Sequence, residues 1–163
     1  MDFLDQAELV GKLLLAAFCG GLIGWQRDRH QYVAGLRTMA LVAIGASLFT
    51  ASNEVLGFDR VVANIVTGIG FLGAGIIFRE GGTVRGITTA ATIWSVAAIG
   101  VAIGLELYLV ALVATPLVFV ILEMRPLSEY LSGQRRELPF RRGPRQSEGS
   151  ADDEDEGRER HEG

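Results

Sequence analysis

The chain has 163 residues, of which 49% are hydrophobic and 21% charged, with a formal net charge of −4 and a mean hydropathy of +0.31. Residues 125–163 hold 8 of the 15 basic and 10 of the 19 acidic residues, so the preceding stretch is sparsely charged. This segregation favours an all-α integral membrane protein over a soluble enzyme. It also argues against nucleic-acid binding, because no basic stripe with interleaved aromatic residues occurs. The single cysteine, Cys19, excludes an intrachain disulfide.

Five apolar segments follow one another, and each is about as long as the roughly 17–25 residues that a helix needs to cross a bilayer. The runs are continuous rather than alternating, which predicts five transmembrane helices instead of strands. We expect the first segment to be a retained span, since no basic region precedes it as in a signal peptide. A tight turn near Gly104 to Glu106 is expected between the last two. The segments are 9–25, part of 36–56, 61–78, 87–104 and 105–124.

The placement of arginine predicts the orientation of these spans. Arginines occur in the first and third connecting loops and in the tail, whereas the opposite side holds Arg60 alone. By the positive-inside rule, five spans then place the N-terminus outside and the C-terminus in the cytoplasm, as in a multi-pass protein of the inner (plasma) membrane. The loop arginines are Arg27, Arg29, Arg37, Arg79 and Arg85.

Two regions of different character are expected. Residues 1–125 form the five-helix membrane domain, and residues 126–163 form a cytoplasmic tail with a basic block followed by an acidic one. The tail has few apolar residues to bury, which predicts disorder. Its basic block would lie beside the membrane, where it can contact anionic lipid headgroups.

The third segment contains the glycine-rich run GIGFLGAG. Its G-x-G-x-x-G spacing indicates a nucleotide site only between a strand and a helix, and that context is absent. In lipid, glycine allows helix backbones to approach closely. Helical periodicity places Asn64, Gly68 and Gly75 on one face and Gly70 and Gly73 on the other. We therefore expect helix three to be packed on both sides and central in the bundle.

The polar residues near the start of helix three each allow a structural and a functional interpretation. Asn64 is expected to form an interhelical hydrogen bond, and the alternative is a contact to a ligand or ion. Asp59 is most simply the N-cap of the helix. With Arg60 it is alternatively an ion pair or a gate on the outer side.

Helix four carries a hydroxyl face. Such hydroxyls usually bond back to their own helix or to a neighbouring one, and the alternative is a polar path through the bundle. No charged residue lies at the centre of a span, which weakens a transport hypothesis. No catalytic set and no acidic metal cluster occur either, so we expect no enzyme activity and no cofactor. The hydroxyl residues are Thr88, Thr89, Thr92 and Ser95.

The two arginine-rich loops are expected to share one cytoplasmic surface. The simple interpretation is that they set the topology and form local ion pairs. The functional interpretation is a docking surface for another protein or an anion, and both stay open. The charged residues concerned are Arg27, Asp28, Arg29, Arg37, Arg79, Glu80 and Arg85.

Four motifs in this order and spacing resemble the MgtC/SapB family of bacterial and archaeal membrane proteins: GGLIGWQRDRH, AGLRT, GIGFLGAG and VRGITTAATIW. The resemblance covers residues 10–115. It implies a five-span inner-membrane protein with a cytoplasmic C-terminus. It also implies a role in adaptation to magnesium limitation and, in pathogens, in virulence. Members of the family act by modulating other membrane proteins, including the ATP synthase.

The resemblance also singles out positions of this chain, and two departures from the family pattern occur. Gln26 stands where many members have Glu beside the arginine. A tail replaces the soluble C-terminal domain of the virulence-type members, which favours the shorter SapB-like kind. The matching positions are Arg27, Gly35, Leu36, Arg37, Thr38, Asp59, Arg60, Asn64, Gly68, Gly70, Gly73, Gly75, Arg85, Gly86, Thr88, Thr89 and Trp94.

From the resemblance and the residues together, we expect a regulator or accessory protein in magnesium homeostasis that acts on another membrane protein. The alternative is a Mg²⁺ or other cation transporter or channel that acts as an oligomer. The expected partners are the lipid bilayer and another membrane protein, and self-association of the chain remains open. The absence of carboxylates from the span centres favours the first hypothesis.

Overall fold

The computed structural model describes residues 2–56, 60–80 and 83–124. Asp59 and the tail from 126 to 163 lie outside these described residues, and so do the predictions made for them. The described residues form five α-helices and one β-hairpin. The elements are α1 (Phe3–Arg29), α2 (Leu36–Leu56), α3 (Val61–Ile76), β1 (Phe78–Glu80), β2 (Thr83–Arg85), α4 (Ile87–Gly104) and α5 (Tyr108–Glu123).

The helices agree with the five predicted segments, and the largest difference is in α1. This helix has 27 residues and continues past the first apolar run to Arg29. At its start, the backbone N–H of Asp2 donates to the Asp5 carboxylate at 2.8 Å, in a capping box. Because a helix satisfies its own backbone, it need not stop where the apolar run stops. The first four residues of the predicted first loop, 26–29, are therefore helical.

A short β-hairpin between α3 and α4 occupies most of the predicted third loop, while the rest of the regular elements among the described residues are helices, as the all-α prediction has it. Its strands are antiparallel, with Phe78 opposite Arg85 and Arg79 opposite Val84. The hairpin leads into α4 through Gly86, whose φ of 91° lies in the left-handed region. A Cβ at Gly86 would collide with the carbonyl oxygen of Ile76. Only glycine fits this junction without strain.

The helices alternate in direction, which gives the bundle two chemically different ends. At one end, hydrogen bonds join Gln26 to Glu123 and Arg27 to Thr89. We call this the arginine end. At the other end, Lys12 near the start of α1 bonds to Glu106, in the turn between α4 and α5. We call this the acidic end.

The central helix of the bundle is α4, so the prediction that helix three is central is wrong. Helix α4 packs against all four other helices of the described chain. It buries nine of its residues, among them Ile93, Val96 and Ile103. In contrast, Gly73 is the one buried residue of α3. The third helix therefore lies at the edge of the bundle.

The glycines that bring helices together are two G-x-x-x-G pairs that the sequence interpretation missed. A Cβ on Gly20 would lie 2.6 Å from the carbonyl oxygen of Met39 on α2. A Cβ on Gly104 would lie 2.6 Å from the Cβ of Thr50, also on α2. Gly24 and Gly100, one turn away from each, are equally close to α2. Helix α2 is thus held tightly between α1 and α4 by small residues.

The glycines of α3 do not pack in this way. A Cβ on Gly68, Gly70 or Gly75 would meet nothing within 4 Å, and one on Gly73 would meet Ala90 at 3.4 Å. Instead, α3 leans on the core through partly buried isoleucines such as Ile69. The helix-packing prediction is therefore wrong for three of the four glycines within one copy of the chain. The physical reason is that bulky isoleucines supply more contact area than glycines.

The exterior of the bundle is strongly apolar. Phe71 on α3 is 83% exposed and Leu109 on α5 is 76% exposed. Helices α1 and α4 are long and apolar enough to cross a membrane, while α3 and α5 are apolar helices of 16 residues each. So large an exposed apolar surface is consistent with contact to lipid.

Candidate functional site

Arg27 lies at the centre of the arginine end and is fully buried, with 0% exposure. Its Nη2 donates to Thr89 Oγ1 at 2.5 Å, and its guanidinium carbon lies 3.7 Å from the ring centroid of Tyr32. A desolvated cation–π contact of this kind is worth about 2 kcal/mol. Arg27 thus joins α1 to the first turn of α4 and to the loop before α2. The docking interpretation counted Arg27 among the arginines of the shared surface, and its burial removes this one residue from that surface.

Asp28 is a capping residue for the start of α2. Its Oδ2 accepts a hydrogen bond from the backbone N–H of Leu36 at 3.0 Å. A Cβ on Gly35 would overlap the Asp28 carboxylate, so any larger residue there would displace this carboxylate. The carboxylate satisfies one of the free N–H groups at the helix start. Asp28 therefore fixes the start of α2, of which Arg37 is the second residue.

Gln26 connects the ends of α1 and α5. It is 3% exposed, and its Nε2 donates to Glu123 Oε2 at 3.0 Å. The Nε2 of His30 lies 3.8 Å from the same oxygen. The amide of Gln26 makes this contact possible, because a carboxylate at this position could not donate to Glu123. Glu123 was missed from the sequence, since nothing near it in the chain indicates its partner.

The other arginines of this end are exposed. Arg37, Arg79 and Arg85 lie at the surface, and the guanidinium of Arg29 stacks over the ring of Trp25 at 4.6 Å. Because side chains alternate along a strand and Arg79 pairs with Val84, Arg79 and Arg85 occupy opposite faces of the hairpin. We call Arg29, Arg37, Arg79 and Arg85 the exposed arginine set.

The hydroxyls of α4 are largely engaged within the protein. Thr92 Oγ1 donates to the carbonyl oxygen of Thr88 at 2.7 Å, and Ser95 Oγ donates to that of Ala91 at 2.9 Å. Thr89 accepts from Arg27, as described above. Of the two interpretations, back-bonding is therefore what the structure shows for Thr92 and Ser95, whereas Thr88 is exposed.

Asn64 lies on the exposed face of α3 together with Gly68 and Gly75. Its side chain makes no hydrogen bond to the described residues, so the expected interhelical bond is absent from the described chain. The hydroxyl of Thr67, one turn further, bonds back to Ala63 at 3.1 Å. Asn64 lies in the first turn of α3, whereas the hairpin that carries Arg79 and Arg85 follows the other end of this helix.

A second polar cluster lies at the acidic end. Lys12 is only 7% exposed, and its ammonium lies 2.8 Å from Glu106 Oε1 and 3.1 Å from Glu8 Oε1. The hydrogen bond and charge of Lys12 hold the pKa of the Glu106 carboxyl below its ordinary value. Glu106 also has a left-handed φ of 64°, unusual for a residue other than glycine. Nothing near Lys12 in the sequence indicates its partner Glu106, which lies 94 residues away.

Across residues 2–56, 60–80 and 83–124, no three or more His, Cys, Asp or Glu side chains gather in a group that could hold a metal ion. The two ends of the bundle present different chemical groups. The arginine end presents donors for carboxylates and phosphates. The acidic end presents two carboxylates around one ammonium.

Comparison with known proteins identifies the family. The sequence profile of the MgtC family matches residues 13–130. Protein MgtC of Brucella abortus is 48% identical over 133 residues, which cover 78% of this chain and 54% of that protein. Protein MgtC of Salmonella typhimurium is 54% identical over 106 residues, which cover 63% of this chain and 46% of that protein.

The chain thus spans about half the length of the curated relatives it matches. No solved structure matches this chain. The profile covers most of the sequence, including all four motifs that carried the resemblance. The chain belongs to the MgtC family.

Proposed function

We propose that the chain is a membrane regulator or accessory protein in magnesium homeostasis, which adapts the cell to low Mg²⁺ by acting on another membrane protein. On this proposal it catalyses no reaction. Membership of the MgtC family supports the physiological role. The exposed arginine set supports the mode of action, because it presents cationic groups on ordered elements at one end of the bundle.

The proposal includes five membrane spans in the inner membrane, with the acidic end outside and the arginine end in the cytoplasm. The alternating helix directions and the apolar exterior support such spans. The charge difference between the two ends supports the orientation. Acidic residues of the outer end are Asp2, Asp5, Glu8 and Glu106, opposite the exposed arginine set.

The observation that supports the proposal most directly is a difference in burial among the arginines of this end. Arg27 is buried and holds the scaffold, while Arg37 and Arg85 stand at the surface on elements that the scaffold orders. A planar guanidinium binds a carboxylate or phosphate through two parallel hydrogen bonds, which a lysine ammonium cannot do. Exposed arginines on ordered elements suit the recognition of an acidic segment of a partner protein.

The test replaces Arg37 and Arg85 by lysine in the cell. Lysine keeps the positive charge that sets orientation but removes the planar fork. We expect growth at low Mg²⁺ to fall while the amount of protein in the membrane stays normal. Arg60→Lys, at the acidic end, is the matched control and should grow normally. Full growth of both Arg37→Lys and Arg85→Lys would refute the recognition role.

The alternative function is a cation transporter acting as an oligomer, and one observation favours it. The buried hydroxyls of Ser47 and Thr50 make no hydrogen bond to the described residues, so polar groups are available inside the bundle. Ion flux into liposomes that contain only this protein separates the two functions. A regulator gives no flux above that of empty liposomes, whereas a transporter does.

A further inference from the structure

Lys12 is the single lysine of the chain, although the sequence holds 15 basic residues in all. Its ammonium is buried, while the two carboxylates that bind it reach the surface: the side chains of Glu8 and Glu106 are 56% and 50% exposed. Glu8 and Glu106 therefore form a negatively charged surface cluster, and the buried ammonium of Lys12 lies between their carboxylates. An ammonium is a compact charge on a flexible stem, which makes it an exchangeable occupant.

Two hydroxyls on α2 lie at the same level of the bundle. Gly20 on α1 packs against Met39 and Ala43 on the antiparallel α2. Lys12 is eight residues, or about 12 Å, from Gly20 along α1, and the same distance along α2 leads from Met39 to Ser47 and from Ala43 to Ala51. On the side of α4, Gly104 packs against the backbone of Ser47 and the side chain of Thr50. Gly104 itself lies two residues before Glu106. The helix register thus brings Ser47 and Thr50 to the level of Lys12 and Glu106.

These hydroxyls are without partners among the described residues. Ser47 and Thr50 are both 0% exposed, yet neither hydroxyl oxygen has a hydrogen bond there. Four other helical hydroxyls bond back to the carbonyl four residues before, namely those of Thr67, Thr92, Ser95 and Thr115. A buried hydroxyl without a hydrogen bond costs about 1–3 kcal/mol. In folded proteins most buried polar groups have a hydrogen-bond partner, and ordered water or a bound ion is a common one.

We propose that Glu8, Glu106, Ser47 and Thr50 form a binding site for a hydrated divalent cation, whose place the ammonium of Lys12 takes when the cation is absent. All four groups supply oxygen, the ligand that hard cations prefer. A small dication such as Mg²⁺ retains several waters and binds through one or two carboxylates. Those waters would provide the hydrogen bonds that the two hydroxyls lack.

The charge balance favours the exchange at sufficient cation concentration. Two carboxylates around one ammonium leave a net charge of −1, and a dication in the same place neutralises both. The displaced lysine can extend its stem toward the surface and solvate its ammonium there. With two protein carboxylates, the affinity should fall in the weak, millimolar range of extracellular cation sites.

The inference is independent of the proposed function. It concerns the acidic end rather than the exposed arginine set, and its tests measure binding on purified protein rather than growth. Loss of one proposal therefore leaves the other standing.

The first test uses the wild-type protein in detergent with an amine-acetylating reagent. Because Lys12 is the only lysine, mass spectrometry of its peptide reports the exposure of this ammonium alone. We expect millimolar Mg²⁺ to increase the acetylation of Lys12 several-fold over NaCl of equal ionic strength. Unchanged or reduced acetylation would overturn the exchange.

The second test removes the ammonium of Lys12. Lys12→Met leaves both carboxylates, and we expect it to bind Mn²⁺, measured by electron paramagnetic resonance, several-fold more tightly than the wild type. The double variant Lys12→Met with Glu106→Gln should lose that binding. Thr50→Val in the Lys12→Met background should weaken it several-fold. Equal Mn²⁺ binding by Lys12→Met and by its Glu106→Gln derivative would refute the site. If Lys12→Met does not fold, the acetylation experiment on the wild type tests the proposal alone.

Discussion

Arg27 at the end of α1 donates a hydrogen bond to Thr89 in the first turn of α4, across 62 residues of sequence. The guanidinium is completely buried and stacks on Tyr32. A buried charge is tolerated only where polar groups and aromatic faces compensate its lost hydration. The contact therefore fixes where α4 starts relative to α1, and with it the position of the hairpin that carries Arg79 and Arg85.

Removal of the Thr89 hydroxyl should destabilise the protein. Thr89→Val keeps the shape of the side chain but takes one hydrogen bond from a buried cation, which is worth about 1.5–3 kcal/mol. Unfolding in detergent measures the loss. Thr88→Val, its exposed neighbour, is the matched control and should be nearly neutral. Equal stability of the two variants would contradict the structural role of Arg27.

Glycine substitutions should destabilise the protein in the central helix α4 and be tolerated in the peripheral helix α3. Gly104→Leu places a side chain against Thr50, where even a Cβ would be 2.6 Å away, and overpacking of this kind costs at least about 1–3 kcal/mol. At Gly70 an added Cβ would meet nothing within 4 Å, so Gly70→Leu should be tolerated. Thermal unfolding of the two variants distinguishes them. A severe effect of Gly70→Leu with a mild effect of Gly104→Leu would restore α3 as the central helix.

The contact between Gln26 and Glu123 needs one amide and one carboxylate. We expect it to survive when the two side chains are swapped, and to be lost when both are carboxylates. Gln26→Glu removes the amide donor and sets two carboxylates about 3 Å apart, which we expect to cost about 1–3 kcal/mol near neutral pH. The double variant Gln26→Glu with Glu123→Gln restores one donor and one acceptor. Its stability in detergent should return toward that of the wild type. Additive losses in the double variant would show that the two side chains do not interact.

The Lys12–Glu106 contact predicts a pH dependence. The folded protein lowers the pKa of the Glu106 carboxyl through its hydrogen bond to Lys12, whereas the unfolded chain restores the pKa to its ordinary value of 4.5. The contribution of Glu106 to stability is therefore fully present above that pH and is lost as the pH falls through the lowered folded value. Wild type should be more stable than Glu106→Gln at neutral pH, and the difference should disappear in acid.

Unfolding curves of wild type and Glu106→Gln over a pH series check this prediction. The effect should be modest and should shrink with added salt, since the carboxylate is exposed to solvent. A difference between the two proteins that persists unchanged in acid would mean that the charge of Glu106 is not responsible.

The proposed orientation predicts the location of the tail. A reporter enzyme fused after Gly133 should be active only if it is of the type that works in the cytoplasm. The reason is the positive-inside rule applied to the arginine end. Activity of a reporter that requires export would invert the topology, and a fusion before Asp2 with the opposite expected result serves as the control.

The sequence alone determined the number, type and approximate bounds of the helices. The predicted fourth segment and α4 share the same residues, 87–104, and α2 fills the whole of 36–56. The separation of arginines from carboxylates into two ends also followed from the order of the segments. These properties are local because a helix satisfies its own backbone, so composition and run length suffice to place it. The hairpin was missed because three-residue strands leave no periodicity to detect.

Only the tertiary structure decided which faces of these helices meet. The conspicuous glycines Gly68, Gly70 and Gly75 are unpacked, while the inconspicuous pair Gly100 and Gly104 brings α2 against α4. Partners such as Lys12 and Glu106 are 94 residues apart, and Gln26 and Glu123 are 97 apart. Their pairing depends on the rotation and offset of whole helices, which are set by summed side-chain packing over many contacts. No local pattern in one segment contains that information, and the burial of Arg27 and Lys12 could therefore be learned only from the folded chain.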